Sequence, residues 1–185
     1  MKIALSFWGT QKYINFLPQW YDSLEKYFLT EVEKKYFILT DGEIDDIPDN
    51  MKLVKIPNYG FPGTFHKTFE ELLNLKEYID EYDWFLSVDA DMVAYDKIKY
   101  EEFFDDTKKY IGVHHPCHYL NMPPHNKFPG AFEVNPSSKS SVTEDMDLSV
   151  YYQGCLWGGK IPYIFDMMKE LDEWTKEDLS RDINP

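Results

Sequence analysis

The chain has 185 residues and carries 33 acidic against 19 basic side chains, a formal net charge of −14. That balance excludes nucleic-acid binding through a basic surface, which needs clustered Lys and Arg, but not a nucleotide whose phosphates a metal neutralises locally. A hydrophobic share of 43% with 17% aromatic residues excludes a disordered chain and fits one domain around a single core.

In chain order, residues 2–8 (KIALSFW) read as a buried strand, followed by a turn at Gly9-Thr10-Gln11-Lys12. A helix is expected over residues 18–29, with Pro18 tolerated in its first turn and Leu17, Tyr21, Leu24 and Phe28 as its apolar stripe. Residues 35–40 (KYFILT) form a second strand ending at Asp41-Gly42, and residues 51–56 (MKLVKI) a third, closed by Pro57. A loop over residues 58–63 leads to a helix reaching about residue 80, with Thr64 as its expected cap. Residues 84–88 (WFLSV) and 109–114 (KYIGVH) are further strands. Residues 150–157 (VYYQGCLW) return to strand composition, with Gly158-Gly159 expected to break the strand before a final amphipathic helix over residues 161–174. Helices alternating with continuous apolar strands point to a three-layer α/β sheet.

No apolar run approaches the roughly 20 residues of a membrane span, and MKIALSFW is interrupted too early for a signal peptide. Cys117 and Cys155 show no metal-ligand spacing; they leave room for one disulfide, with a reduced, cytoplasmic setting as the expectation.

The apolar run 84–88 ends abruptly in Asp89-Ala90-Asp91. If the backbone stays extended across Ala90, the two carboxylates project to the same side and converge. Carboxylates so close repel unless a proton or cation lies between them, and a hard divalent ion, Mg²⁺ or Mn²⁺, is the natural occupant. The end of a strand in an α/β sheet is also where ligands bind. Read without that context, the triplet is an ordinary solvated turn. Residues 116–143 hold five prolines and no clear period, the signature of a binding loop or lid; a disordered insertion is the plainer alternative. His114, His115, His118 and His125 cluster there, although their spacing fits no standard zinc pattern.

An ordered set of patterns over nearly the whole chain resembles glycosyltransferase family 6, the group of histo-blood-group and α-1,3-galactosyl transferases, in the form without a membrane anchor. The set comprises Lys12-Tyr13, Leu24-Glu25-Lys26-Tyr27-Phe28, Tyr36-Phe37-Ile38-Leu39-Thr40-Asp41, Asp89-Ala90-Asp91-Met92-Val93, His115-Pro116 with Tyr119, and the run from Tyr151 to Gly159. The resemblance implies a GT-A fold, a Rossmann-like three-layer α/β/α nucleotide-sugar-binding unit. It implies transfer of galactose or N-acetylgalactosamine from a UDP donor to the 3-hydroxyl of a galactoside glycan, with retention of configuration. It further implies that Trp8, Gly9 and Thr10 line the uridine site and that Tyr13 stacks on the base. Asp89 and Asp91 would hold Mn²⁺ (or Mg²⁺) against the diphosphate. Gln153, Gly154 and Cys155 would set donor-sugar selectivity, and His115 would contact the acceptor.

The chain departs from the family pattern in two places. A family Arg at the start of the second helix is matched here by Gly63-Thr64-Phe65-His66-Lys67, leaving His66 or Lys67 as substitutes. A Trp-His-Asp-Glu segment carrying the family's catalytic Glu would fall just beyond Arg181-Asp182-Ile183-Asn184-Pro185. The expectation is therefore a truncated chain that binds UDP better than it transfers sugar, since a nucleophile must lie within reach of the anomeric carbon. Two other functions fit parts of the sequence: a catalytically impaired UDP-sugar or glycan-binding module, and a haloacid-dehalogenase-like phosphatase, whose D-x-D motif normally follows its first strand.

Overall fold

The computed structural model describes residues 1–115, 132–143, 145–146 and 150–184. The strands are β1 (Lys2–Trp8), β2 (Glu33–Thr40), β3 (Met51–Lys55), β4 (Trp84–Val88), β5 (Tyr110–His114) and β6 (Tyr152–Lys160). The helices are α1 (Leu17–Tyr27), α2 (Gly63–Leu73), α3 (Lys76–Ile79), α4 (Tyr100–Phe103) and α5 (Tyr163–Ser180), with a 3₁₀ turn at Gln11–Phe16. The strands form one sheet in the order β3-β2-β1-β4-β6-β5. β1 to β4 run parallel, while β6 is antiparallel to both β4 and β5.

Strand alternation sorts the core into two faces. Leu5, Phe7, Tyr36, Ile38 and Leu86 pack on Leu17, Trp20 and Leu24 of α1. Ala4, Phe37, Leu39 and Phe85 pack on Leu72 of α2, Ile79 of α3, and Ile164, Phe165 and Met168 of α5. Helices thus cover both sides of the sheet, giving the three layers expected.

Several local expectations shift. α1 ends at Tyr27, where Lys34 Nζ donates to the carbonyls of Leu24 and Phe28 at 2.7 and 2.8 Å, and Leu29 turns to φ +49°. Trp20, absent from the expected stripe, is fully buried, whereas Tyr21 is half-buried. Thr64 is not the cap of α2: the cap position is Pro62, and Thr64 already lies inside the helix with its hydroxyl donating to Gly60 O at 3.1 Å. α5 continues past residue 174 to Ser180.

The largest correction concerns Gly158-Gly159, which continue β6 instead of ending it. A Cβ on Gly158 would lie 2.0 Å from Phe85 O, and one on Gly159 would lie 2.7 Å from Lys109 O. The glycines are there because neighbouring backbone approaches too closely for any side chain. Gly158→Ala is expected to lower unfolding free energy by about 3 kcal/mol, the high end of overpacking costs. Gly154→Ala, with no atom within 4 Å of its Cβ, is expected to stay within about 0.5 kcal/mol of the parent. Urea denaturation of the two variants checks the contrast.

Candidate active site

After β1 the chain moves outward to β2 and β3, then returns to place β4 on the other side of β1. The strand order therefore reverses between β1 and β4, whose carboxyl ends diverge into separate loops and leave a crevice. Ser6 and Ser87 are register partners just below that point, with Trp8-Gly9-Thr10 leaving one strand and Asp89-Ala90-Asp91 the other. The crevice opens into a cleft of about 1100 Å³, bounded on its remaining sides by β6, α2 and α5.

The first wall is the loop after β1. Gly9 N donates to Leu39 O at 3.0 Å, and Gln11 N donates to Asp41 Oδ1 at 2.9 Å, so the second strand's terminal turn anchors the loop. A Cβ on Gly9 would fall 2.3 Å from the Phe7 ring. Tyr13 sits in the following 3₁₀ turn with about half its surface exposed, on the cleft and beside Phe16. The Trp8 indole nitrogen is buried with no acceptor among the described residues.

The second wall is the acidic turn. The backbone does not stay extended across Ala90: Met92 N donates to Asp89 O at 3.1 Å, closing a turn over Asp89–Met92. Buried Ala90 anchors that turn, while Asp89 and Asp91 both stay exposed on the cleft. Convergence therefore comes from the turn and not from strand alternation. Asp89 keeps one open face but is hemmed in by protein on its other sides. That desolvation, followed by the charge of Asp91, pushes its carboxyl pKa up to about 6. Neither carboxylate forms a salt bridge among the described residues.

Two carboxylates on one turn are oxygen donors of the kind a hard divalent cation would take. No group of three His, Cys, Asp or Glu able to hold a metal occurs among the described residues. Asp89 and Asp91 would thus supply two oxygens and leave the remaining positions to phosphate and water, as Mg²⁺-type sites do.

The third wall is β6. Asp89 N donates to Cys155 O at 2.8 Å, which brings Gln153, Gly154 and Cys155 directly against the acidic turn. Cys155 is a free thiol, pushed up in pKa by burial and then by Asp89; Cys117 lies outside the described residues. His115 also lines the cleft, its backbone N donating to Tyr151 O at 2.7 Å. His118, Tyr119 and His125 lie outside the described residues, as does the stretch 116–131 of the expected binding loop.

On α2 the two substitutes for the family Arg separate. His66 lines the cleft and its Nε2 lies 2.7 Å from Asn184 Oδ1. Lys67 instead turns to Glu70 at 3.1 Å.

Sequence reasoning missed Asp178. It lies on the inward stripe of α5 with Ile164, Phe165, Met168, Asp172 and Thr175, and has no accessible surface. An acidic residue at a core-facing helical position was the available signal. Desolvation opposes its charge, but hydrogen bonds from Ser138 Oγ at 2.6 Å and Lys139 N at 3.0 Å, with the Arg181 guanidinium at 2.5 Å, outweigh it and hold the carboxyl below its usual range. Asp178 thereby fastens residues 138–140 to the end of α5.

No family model matches the chain. It is 22% identical over 178 residues to globoside alpha-1,3-N-acetylgalactosaminyltransferase 1 of Homo sapiens, an alignment covering 91% of this chain and 49% of that protein. It is also 22% identical over 185 residues to the O-antigen biosynthesis glycosyltransferase WbnI of Escherichia coli, covering 99% of this chain and 76% of that protein. The chain thus spans about half the length of the human relative. Both relatives are glycosyltransferases by name, and their distant similarity supports a glycosyltransferase family for this chain. The mixed α/β architecture around a six-stranded sheet is consistent with the Rossmann-like GT-A glycosyltransferase fold. No described helix is long and apolar enough to cross a membrane.

The two carboxylates, Asp89 at the cleft and Asp178 in the core, shift in opposite directions. Asp89 has a raised folded pKa, so its ionisation destabilises the ligand-free fold above about pH 6 and that penalty disappears toward pH 4. Asp89→Asn is expected to raise Tm by about 2–4 °C at pH 7.5, solvent screening holding the gain near 1 kcal/mol, and to leave it unchanged at pH 4. Asp178 has a depressed pKa, so its contribution is complete at neutral pH and is lost on acidification through its folded pKa. Asp178→Ala is expected to cost about 2–4 kcal/mol at pH 7.5, by leaving Ser138 and the Lys139 amide without their acceptor. Thermal melts of both variants at the two pH values check the signs.

Proposed function

We propose that residues 1–185 form one GT-A unit of a metal-dependent, retaining glycosyltransferase of the family 6 type. It would move galactose, N-acetylgalactosamine or a related sugar from a UDP donor to a glycan, through an α-1,3 linkage to a galactoside. The observation carrying this reading is the meeting of three segments at the strand-order reversal: Trp8-Gly9-Thr10 with Tyr13, Asp89-Ala90-Asp91, and Gln153-Gly154-Cys155. The two relatives, one named for transfer of N-acetylgalactosamine in α-1,3 linkage, support it from the side of sequence.

Each segment has a physical task in that reading. Tyr13 presents an aromatic face to the uracil, a contact worth about 1–3 kcal/mol per base in stacking sites. Asp89 and Asp91 hold Mn²⁺ or Mg²⁺, which neutralises the diphosphate as it takes up negative charge on leaving. The Asp89 N–Cys155 O hydrogen bond keeps the donor-selectivity segment in register with the metal ligands. Side-chain size at Gln153, Gly154 and Cys155 then discriminates sugars by about 1–3 kcal/mol, as hydrophobic and steric pockets do. His66 faces the cleft from α2, where it can donate to a phosphate or sugar oxygen once released from Asn184. His115, its ring 5.6 Å from that of Tyr151, would contact the acceptor.

Calorimetry with UDP tests the reading directly. UDP is expected to bind at micromolar strength with Mn²⁺, to lose at least tenfold in affinity when all divalent cation is chelated, and to lose the same when Asp89 and Asp91 are both changed to Ala. Equal UDP affinity in all three conditions would contradict it.

A further inference from the structure

Residues 133–142 form a loop that holds itself together but scarcely enters the core. Val142 N donates to Glu133 O at 2.8 Å and closes the two ends on each other. Inside the loop, Asn135 N donates to Glu133 Oε1 at 2.6 Å, Ser137 N to Asn135 Oδ1 at 3.1 Å and Ser138 N to Asn135 O at 2.9 Å. A compact segment with closed ends and its own hydrogen bonds moves as one piece. Its sequence, EVNPSSKSSV, offers little apolar surface to bury, and Val134 is 73% exposed. Ser138 is its only buried residue.

Ser138 is buried on Asp178. Its hydroxyl donates to Asp178 Oδ2 at 2.6 Å, and the Lys139 amide donates to both carboxylate oxygens at 3.0 Å. Hydrogen bonds to an ionised acceptor away from solvent are the strong ones. The Lys139–Glu177 ion pair, at 3.2 Å, also reaches α5, but both ends are exposed and it contributes little. The place of the loop therefore depends on one carboxylate.

From that clasp the loop runs to one end of the cleft. Ser140, whose amide donates to Ser138 Oγ at 3.2 Å, lines the cleft with His115 and Tyr151. Phe132, at the foot of the loop, meets the Tyr151 ring edge-on at 4.9 Å, and Tyr151 O accepts from His115 N at 2.7 Å. Among the described residues, 133–142 make no hydrogen bond or ion pair with the loop after β1 or with the Asp89–Met92 turn.

We infer that Asp178 is a positioning residue: through Ser138 and Lys139 it sets residues 133–142 as the cleft wall beside His115 and Tyr151, against which a galactoside acceptor rests. This rests on the proposed function above, in which His115 contacts the acceptor. Asp178 has no accessible surface and acts only through the loop. The nucleotide end of the cleft, at Trp8, Tyr13, Asp89 and Asp91, is held by other contacts, so the two ends respond separately.

Loosening the clasp tests the inference. Ser138→Ala removes the buried hydroxyl, and Asp178→Asn keeps the shape while removing the charge. The parent chain and both variants are compared by calorimetric titration of UDP with Mn²⁺, by NMR titration of lactose at saturating UDP and Mn²⁺, and by the rate of tryptic cleavage after Lys139. Cleavage after buried Lys34 reports global unfolding and separates it from local release of the loop. Both variants are expected to be cut about tenfold faster after Lys139, as loss of a hydrogen bond to a charged partner implies, and no faster after Lys34. The lactose dissociation constant is expected to rise at least about fivefold while UDP affinity stays within about threefold, the pattern of a contact that serves one ligand only. Faster cleavage after Lys139 with unchanged lactose affinity would overturn the inference and leave the proposed function standing, as would unchanged cleavage in both variants. Cleavage that rises equally after Lys34 and Lys139 would make the role merely structural and overturn it too, and so would a parent chain that binds UDP but not lactose. Absence of UDP binding in the parent chain would overturn both readings together. Should Asp178→Asn fail to fold, Ser138→Ala decides alone.

Discussion

The parallel pairing of β1 with β4 is the contact on which the rest of this molecule depends. It sets Ile3 to Ser6 against Trp84 to Ser87 and makes the strand order reverse at their carboxyl ends. Everything proposed for the site follows from that reversal: two loops diverge, backbone groups at the strand ends face a crevice, and a ligand enters without displacing core. The burial of Ile3, Leu5, Phe85 and Leu86 supplies the stability that holds the pair together. The site is then open space at the edge of a rigid layer, where side chains can be positioned precisely by strands instead of by loops alone.

At that edge the protein tolerates an electrostatic conflict. The Asp89 backbone is held to Cys155, which fixes its Cα beside the turn that carries Asp91. Burial and then the charge of Asp91 push the Asp89 carboxyl pKa up, and the proposed divalent cation would relieve that strain. Asp178 shows the contrasting case of a buried carboxylate whose charge is fully compensated by a hydroxyl, an amide and a guanidinium. The first arrangement suits binding, the second suits anchoring. The same chain uses both, about the same cleft.

What could be read from sequence followed from short-range pattern. The run Trp84 to Val88 ending in two aspartates announced both a buried strand and its acidic terminus, and the alternation of strands with amphipathic helices announced the layers. What could not be read was non-local. Gly158-Gly159 looks like a breaker because glycine favours turns, yet the deciding fact is the approach of Phe85 O from β4 and of Lys109 O from the residue before β5. His66 and Lys67 are adjacent in sequence, and only the rotation of α2 against α5 sends one to the cleft and the other to Glu70. The turn at Asp89–Met92 replaced an extended triplet because Ala90 packs into the core.

The proposed function stands or falls with one divalent cation joining the Asp89–Asp91 turn to the diphosphate of a nucleotide. Electron paramagnetic resonance of Mn²⁺ titrated with the protein, with and without UDP, reads that bridge out. The free-ion signal is expected to fall little with protein alone, to fall steeply when UDP is added, and to do so only while both aspartates are present. A free-ion signal that UDP lowers equally with protein in which both aspartates have been replaced by Ala would contradict it.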